Sequence, residues 1–199
     1  MEMDTSESDY AKRLSKLQHA RWKRLLRVQA PYHFSLKRMQ PGYFLDVGCG
    51  IGRSLDWFRN SGVGVDHNKL AIEYCRARGL EAFTPEEFAV SKYATSGPLF
   101  DSLLFSHVFE HMTESDAMAL INQYITLLKP DGRIIAITPQ EVGFKSDHTH
   151  VNFTDFETMA RILSDSDFQI HTRRSFPFPR FMGKFFKYNE FVVSASRGH

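Results

Sequence analysis

Three groups of residues in this 199-residue chain could do chemistry. The first is Asp46-Val47-Gly48-Cys49-Gly50-Ile51-Gly52, an acid followed by three glycines at alternate positions. Glycine takes positive φ without steric cost and lets a ligand come up against the main chain. A helix beginning near Gly52 would turn its free N–H groups toward that ligand, which favours one carrying a carboxylate or phosphate. The second group is Ser106-His107-Val108-Phe109-Glu110-His111, in which His107, Glu110 and His111 are all able to ligate a metal or to pin a loop. The third is Asp147, His148 and His150. A histidine titrating near neutrality beside a carboxylate can take the proton of a hydroxyl. His150 is expected in that role with Asp147 orienting it, the alternative being that it only ties its loop to the rest.

The elements that must position these groups are legible from pattern. The apolar run from Tyr43 reads as a strand entering the glycine turn, and Gly62-Val63-Gly64-Val65-Asp66 as a second strand ending in an acid. Asn68 caps a helix to about Arg78, with Leu70, Ile72, Tyr74 and Cys75 as its buried positions and Gly79 as its stop. Leu80 to Phe83 is a third strand, and Thr84 with Pro85 turns it into a short helix. Phe100 to Phe105 is a fourth strand. Thr113 caps a helix to about Leu128, Lys129-Pro130-Asp131-Gly132 makes a turn, and Arg133 to Ile137 is the fifth strand. The loop Thr138 to Val151 is long for a connector, so it is a candidate for substrate contacts. Thr154-Asp155-Phe156-Glu157 is a capping-box pattern opening a helix to about Asp165. Two last strands follow, Phe168 to Thr172 and Glu190 to Ser196.

The spacing around the glycines separates two kinds of cofactor. A dinucleotide fingerprint is G-x-G-x-x-G; here the third glycine comes one residue early, and an NAD-linked dehydrogenase would need the missing one. An apolar strand followed by Asp46-Val47-Gly48-Cys49-Gly50-Ile51-Gly52, with Asp66 and Ser106-His107-Val108-Phe109-Glu110-His111 after it, resembles the class I S-adenosylmethionine-dependent methyltransferases. The resemblance runs from about Tyr43 to the C-terminus. It implies an α/β fold with a Rossmann-like, doubly wound, seven-stranded, mostly parallel sheet of strand order 3-2-1-4-5-7-6, closed by a C-terminal antiparallel hairpin. It implies S-adenosylmethionine as cofactor, with Asp46, Gly48 and Gly50 at its amino-acid end and Asp66 and His67 at the ribose. Thr84 stands near the adenine, and Ser106 and His107 on the rim near the methyl. The stretch from His107 to His111 also looks like that of the ubiquinone-type O-methyltransferases, where a Glu-x-x-Glu-His run holds a divalent cation. His107 stands in place of that run's first Glu, and no metal is assigned.

Composition bounds the rest. With 42% hydrophobic residues the chain can bury one full core. Residues 1–40 are expected to form a tail, Met1 to Asp9, and a basic helical lid, Tyr10 to Ala30, ended by Pro31; residues 41–199 form the cofactor-binding domain. Tyr32 and His33 lie at that break, where they cover the cofactor or anchor the helix. No apolar run is long enough to cross a membrane. Two cysteines, Cys49 and Cys75, and an acidic start point to a reduced, cytoplasmic protein.

Net charge is +2, but nine Lys or Arg and no acid lie between Tyr10 and Gln40, and five more between Asp167 and Glu190. Both ends could attract an anionic acceptor or surface, or be plain solvated faces. The stretch from Ser175 to Asn189 holds six aromatics and three cations. Packing inward is the default for such a segment; an apolar wall for a lipidic acceptor, or a peripheral membrane contact, is the other reading. The leading expectation is O-methylation of a small molecule, sugar or lipid-linked glycan. A nucleic-acid methyltransferase is the second, against which the Asn- or Asp-Pro-Pro-aromatic run of base N-methylating relatives is absent after strand four. A non-catalytic S-adenosylmethionine-binding regulator is the third. Sequence leaves the oligomeric state open.

Overall fold

The structure is a computed structural model that describes residues 30–198. The expected tail and most of the basic lid, residues 1–29, lie outside the described residues. Seven strands form one sheet: β1 (Phe44–Val47), β2 (Gly62–Val65), β3 (Ala82–Phe83), β4 (Phe100–Ser106), β5 (Leu128–Pro139), β6 (Phe168–Phe176) and β7 (Glu190–Arg197). Their order is β3-β2-β1-β4-β5-β7-β6, as the resemblance implies. The pairs from β3 through β5 are parallel, and β7 runs antiparallel to both β5 and β6.

Helices cover both faces, and apolar side chains of the central strands are buried on each side. All four residues of β1 are buried. Alternate side chains leave a strand on opposite faces, and the core divides accordingly. Leu45, Leu103, Ile134 and Val193 pack on one side with Phe109 and Met159. Their neighbours Phe44, Leu104, Ile135 and Val192 pack on the other with Leu55 and Ile72.

The eight α-helices among the described residues are α1 (Ala30–Arg38), α2 (Arg53–Trp57), α3 (Lys69–Ala77), α4 (Pro85–Ala89), α5 (Lys92–Thr95), α6 (Glu114–Tyr124), α7 (Glu141–Lys145) and α8 (Phe156–Ser164). None is long and apolar enough to cross a membrane.

Several boundaries differ from the sequence expectation. Pro31 does not end a helix: it lies within α1, which runs on to Arg38. The cap of α8 is Asp155, whose side chain accepts from the Thr158 N–H at 3.0 Å, because the Thr154 hydroxyl donates to the Asn152 carbonyl instead. Leu70 is exposed, while Ala71 joins Ile72 and Cys75 on the buried face of α3. The turn Lys129 to Gly132 is absorbed into β5 as an irregularity against β4, where the register passes from Phe100 opposite Leu128 to Ser102 opposite Arg133.

The consequence for the site is where the ends fall. The carboxyl ends of β1, β2, β4 and β5 converge on one edge, and α1 lies near it. The Tyr32 hydroxyl donates to the Tyr188 carbonyl at 2.7 Å, and His33 stacks on Trp57 of α2 at 5.5 Å between centroids. A cavity of about 370 Å³ between Gly42, Phe58 and Ser61 lies at the opposite, amino-terminal ends of β1 and β2, away from the glycine turn.

Candidate active site

The glycine turn is built as a backbone cradle. Gly48, Gly50 and Gly52 have φ of +77°, +51° and +73°. At Gly48 the absence of a side chain is also a matter of space, since a Cβ there would lie 2.6 Å from Val108 Cγ2. The turn is fastened to β2 by the Gly48 and Cys49 N–H groups, which both donate to the Val65 carbonyl at 2.8 and 3.1 Å. Asp66 then closes it: Oδ2 accepts from the Gly50 N–H at 2.7 Å and Oδ1 from the Asn68 N–H at 2.9 Å. The same carboxylate therefore sets the loop's shape and stands at the end of β2. His67 beside it is almost wholly exposed.

Asp46 lies under the turn and is 2% exposed. Burial, reinforced by the neighbouring Asp66 carboxylate, raises its pKa to about 7, against which a hydrogen bond from Ser54 works. A cation arriving above it would restore its charge. Thr84, at the end of β3, is buried and caps α4 through a capping box with Glu87, so its side-chain oxygen is engaged in holding that helix.

Across the edge, β4 ends at Ser106 and the chain turns through His107, whose φ of +60° is left-handed. A residue other than glycine there costs about 1–2 kcal/mol, and the ring it aims is held on both nitrogens. Nδ1 lies 3.1 Å from Glu110 Oε1 and Nε2 3.0 Å from Glu190 Oε1. Burial opposes a charge on the ring, but the hydrogen bonds to the two carboxylates outweigh it and raise the pKa from 6.5 to about 10. His107 is an imidazolium clamp at neutral pH with no nitrogen left to act as a base. Sequence reasoning does not find Glu190; its one signal is that it ends the acid-free stretch after Asp167.

Glu110 is fully buried, and its Oε2 has no hydrogen-bond partner among the described residues. Its backbone carbonyl accepts from the Val151 and Asn152 N–H groups, which draws the loop after β5 alongside. There His150 Nδ1 lies 2.7 Å from the Phe144 carbonyl, and the His150 ring meets His111 edge-on at 4.8 Å between centroids. The orientation of His150 expected from Asp147 comes, at Nδ1, from a backbone carbonyl. Asp147 accepts from the His150 N–H through its carbonyl at 3.3 Å, and its Oδ1 accepts from the Thr149 N–H and hydroxyl at 3.0 and 2.7 Å. Thr149 in turn holds His111, whose Nδ1 is 3.3 Å from its carbonyl and 3.1 Å from its hydroxyl. His148 belongs to the same turn and makes none of these contacts.

The stretch after β6 does not simply turn inward. Phe178, Phe181, Phe185 and Tyr188 are exposed, while its backbone is pinned by buried amides. Asn189 Nδ2 donates to Gln140 Oε1 and Ser175 Oγ at 2.9 Å, and its Oδ1 accepts from the Phe178 N–H at 2.9 Å. Gln140 Nε2 completes the network with Ser175 Oγ and the Glu190 carbonyl.

One family model, described as a methyltransferase domain, matches the chain over residues 14–173. The chain belongs to the methyltransferase-domain family. It is an S-adenosylmethionine-dependent methyltransferase, which removes the dehydrogenase alternative. Solved structures share the fold at low identity. An S-adenosylmethionine-dependent methyltransferase from Archaeoglobus fulgidus is 18% identical, with a TM-score of 0.61 over 83% of this chain and 93% of that one. The magnesium protoporphyrin IX methyltransferase of Synechocystis PCC 6803, solved with S-adenosylhomocysteine, is 16% identical, with a TM-score of 0.63 over 98% and 96%. The 1,6-didemethyltoxoflavin N1-methyltransferase of Burkholderia thailandensis is 17% identical, with a TM-score of 0.64 over 97% and 87%. No curated protein matches the sequence.

The methyltransferase cradle fits its cofactor on its own terms. The turn takes its positive-φ shape because no side chain at Gly48 strikes Val108 and none at Gly52 strikes Cys75 and Leu80, and a carboxylate that burial has left short of its charge lies beneath.

Proposed function

We propose that this methyltransferase transfers a methyl group to a hydroxyl of a small molecule, sugar or lipid-linked glycan. The observation that carries the reading is His150. Its Nδ1 faces a carbonyl, which only accepts, so Nδ1 bears the proton and Nε2 keeps a lone pair. His150 is the group that activates the hydroxyl. Asp46, Gly48 and Gly50 hold the amino-acid end of the donor, Asp66 and His67 its ribose, and Thr84 lies toward the adenine. Ser106 and the His107 clamp form the rim near the methyl.

The donor brings a sulfonium whose positive charge is lost on transfer. What the chain must add is alignment of acceptor oxygen, methyl and sulfur, and relief of the hydroxyl proton. The exposed Phe181, Phe185 and Tyr188 beside this edge offer an apolar wall for a lipidic or aromatic acceptor. The Tyr32 hydroxyl on the Tyr188 carbonyl joins α1 to this wall.

The test is transfer of labelled methyl from S-adenosylmethionine to panels of hydroxylated glycans, lipids and aromatics, with amines and oligonucleotides beside them. Label in an alkali-stable ether of a hydroxylated acceptor, lost in His150→Ala while S-adenosylhomocysteine still binds, is the expected result. Label only on nitrogen or nucleic acid would overturn it.

A further inference from the structure

We infer that residues 178–188 form a docking surface for the interface of an anionic phospholipid bilayer. The surface deepens the hydroxyl-acceptor reading by naming where a lipidic acceptor comes from, and rests on that reading only for this last step.

Four large rings stand out of this one segment: Phe178 is 45% exposed, Phe181 62%, Phe185 75% and Tyr188 49%. An exposed apolar patch of this kind marks a contact, because leaving it in water forgoes the gain of burial. The fold itself holds the rings out. The 3₁₀ turn Arg180–Lys184 is seated so closely on Gln140, the residue after β5, that a Cβ at the buried Gly183 would lie 2.1 Å from Gln140 Oε1. Asn189 closes the segment behind it, accepting from the Phe178 N–H at 2.9 Å and donating to the Phe178 carbonyl at 3.2 Å. Phe186 takes the half-buried place between two of the rings, edge-on to Phe178 and Tyr188 at 5.1 and 5.8 Å between centroids.

Charge decides what the surface meets. Five Lys or Arg and no acid lie between Asp167 and Glu190. Arg180 is engaged by Glu141, to which it donates twice at 2.7 and 2.8 Å, but Lys184 and Lys187 are exposed on either side of Phe185. A second copy of this chain would bring cations onto cations. Residues 10–29 carry seven Lys or Arg without an acid, so they do not complement the segment either. A nucleic acid is disfavoured because Arg180, whose fork would take a phosphate on two nitrogens, is the cation already engaged. Anionic headgroups answer both halves of the pattern, with lysine ammonium groups among the phosphates and phenyl rings at the acyl boundary.

Placement gives the surface a use. The segment joins β6 to β7, and Tyr188, which takes the Tyr32 hydroxyl on its carbonyl, stands two residues before Glu190 of the His107 clamp. A protein docked by these rings has its acceptor edge beside the bilayer. A lipid-borne hydroxyl reaches that edge along the same rings, which share one apolar phase with its chains, so no ring is asked for two exclusive contacts.

The probe is large unilamellar vesicles, of phosphatidylcholine alone and of phosphatidylcholine with phosphatidylglycerol, sedimented with the full chain. Binding to the anionic vesicles is expected, at least about tenfold tighter than to the neutral ones and weakened by salt. Phe181→Ser with Phe185→Ser, and separately Lys184→Glu with Lys187→Glu, should each weaken it at least about tenfold. Retained S-adenosylhomocysteine binding shows that both double variants fold. Vesicle binding that either pair leaves unchanged has another seat, such as the basic residues near the N-terminus, and overturns the surface. No vesicle binding overturns it too, whether or not the rings then prove to mediate self-association or capture of an oligonucleotide. Vesicle binding without any methylated lipid hydroxyl would defeat the lipidic-acceptor reading and leave the surface standing; a methylated soluble hydroxyl acceptor without vesicle binding would do the reverse.

Discussion

His107 Nε2 lies 3.0 Å from Glu190 Oε1, a bond that spans 83 residues of sequence and joins the turn after β4 to the first residue of β7. With Glu110 on the other nitrogen, it ties the turn after β4 to β7 by charge. Glu190→Gln keeps the shape and removes the negative charge. Breaking one side of a partly buried, charge-assisted pair costs about 1–3 kcal/mol. A lower midpoint in chemical denaturation is expected, together with a loss of methyl transfer larger than any loss of S-adenosylhomocysteine affinity.

Asp46 makes stability depend on pH. Its folded pKa of about 7 lies above the ordinary 3.8, so between these values the folded state holds the proton more tightly than the unfolded chain. Stability therefore falls as pH rises from about 4 to about 7 and is level above that, by an amount on the order of 4 kcal/mol. Urea denaturation at pH 5 and pH 8 should show about 2–3 kcal/mol of this fall in the wild type and little of it in Asp46→Asn. Because the donor's ammonium favours the charged carboxylate, S-adenosylhomocysteine affinity should rise over the same range, and not in the variant.

Two glycines with nearly the same backbone separate strain from space. Gly48 and Gly79 have φ of +77° and +74°, but a Cβ at Gly79 meets nothing within 4 Å. Gly79→Ala should cost about 1–2 kcal/mol of stability and leave cofactor binding intact. Gly48→Ala adds the collision with Val108 and should abolish binding measurable by calorimetry.

Asn189 is buried and holds the aromatic segment to β5 and β6 through Gln140, Ser175 and the Phe178 N–H. Asn189→Ala leaves these buried groups unpaired, at about 3 kcal/mol. Thermal unfolding should shift down by about 6–12 °C.

Distance along the chain decides how much of the site is readable in sequence. The cradle is legible because strand, glycines and Asp66 lie within about twenty residues and each constrains the backbone by its own chemistry. The strand order follows from a resemblance, and the structure has it. Glu190 is not legible, since nothing local says that it meets His107. The orienter of His150 escapes for a different reason: a backbone carbonyl has no sequence signature, whereas Asp147 is visible and near. Pro31 and Thr154 mislead because each is compatible with two backbone roles, and packing chooses. The aromatic segment goes against its default because Gln140 and Asn189, two buried amides far apart in sequence, hold its backbone and leave four rings outside.

If the glycine turn closed by Asp66 is the seat of the methyl donor, calorimetric titration of S-adenosylhomocysteine into the wild type and Asp66→Ala tests it most directly. One molecule per chain is predicted for the wild type, with affinity at least about tenfold weaker in the variant, which loses the clamp on Gly50 and the ribose partner proposed above. Equal affinity in the two proteins, or no binding to the wild type, would contradict it.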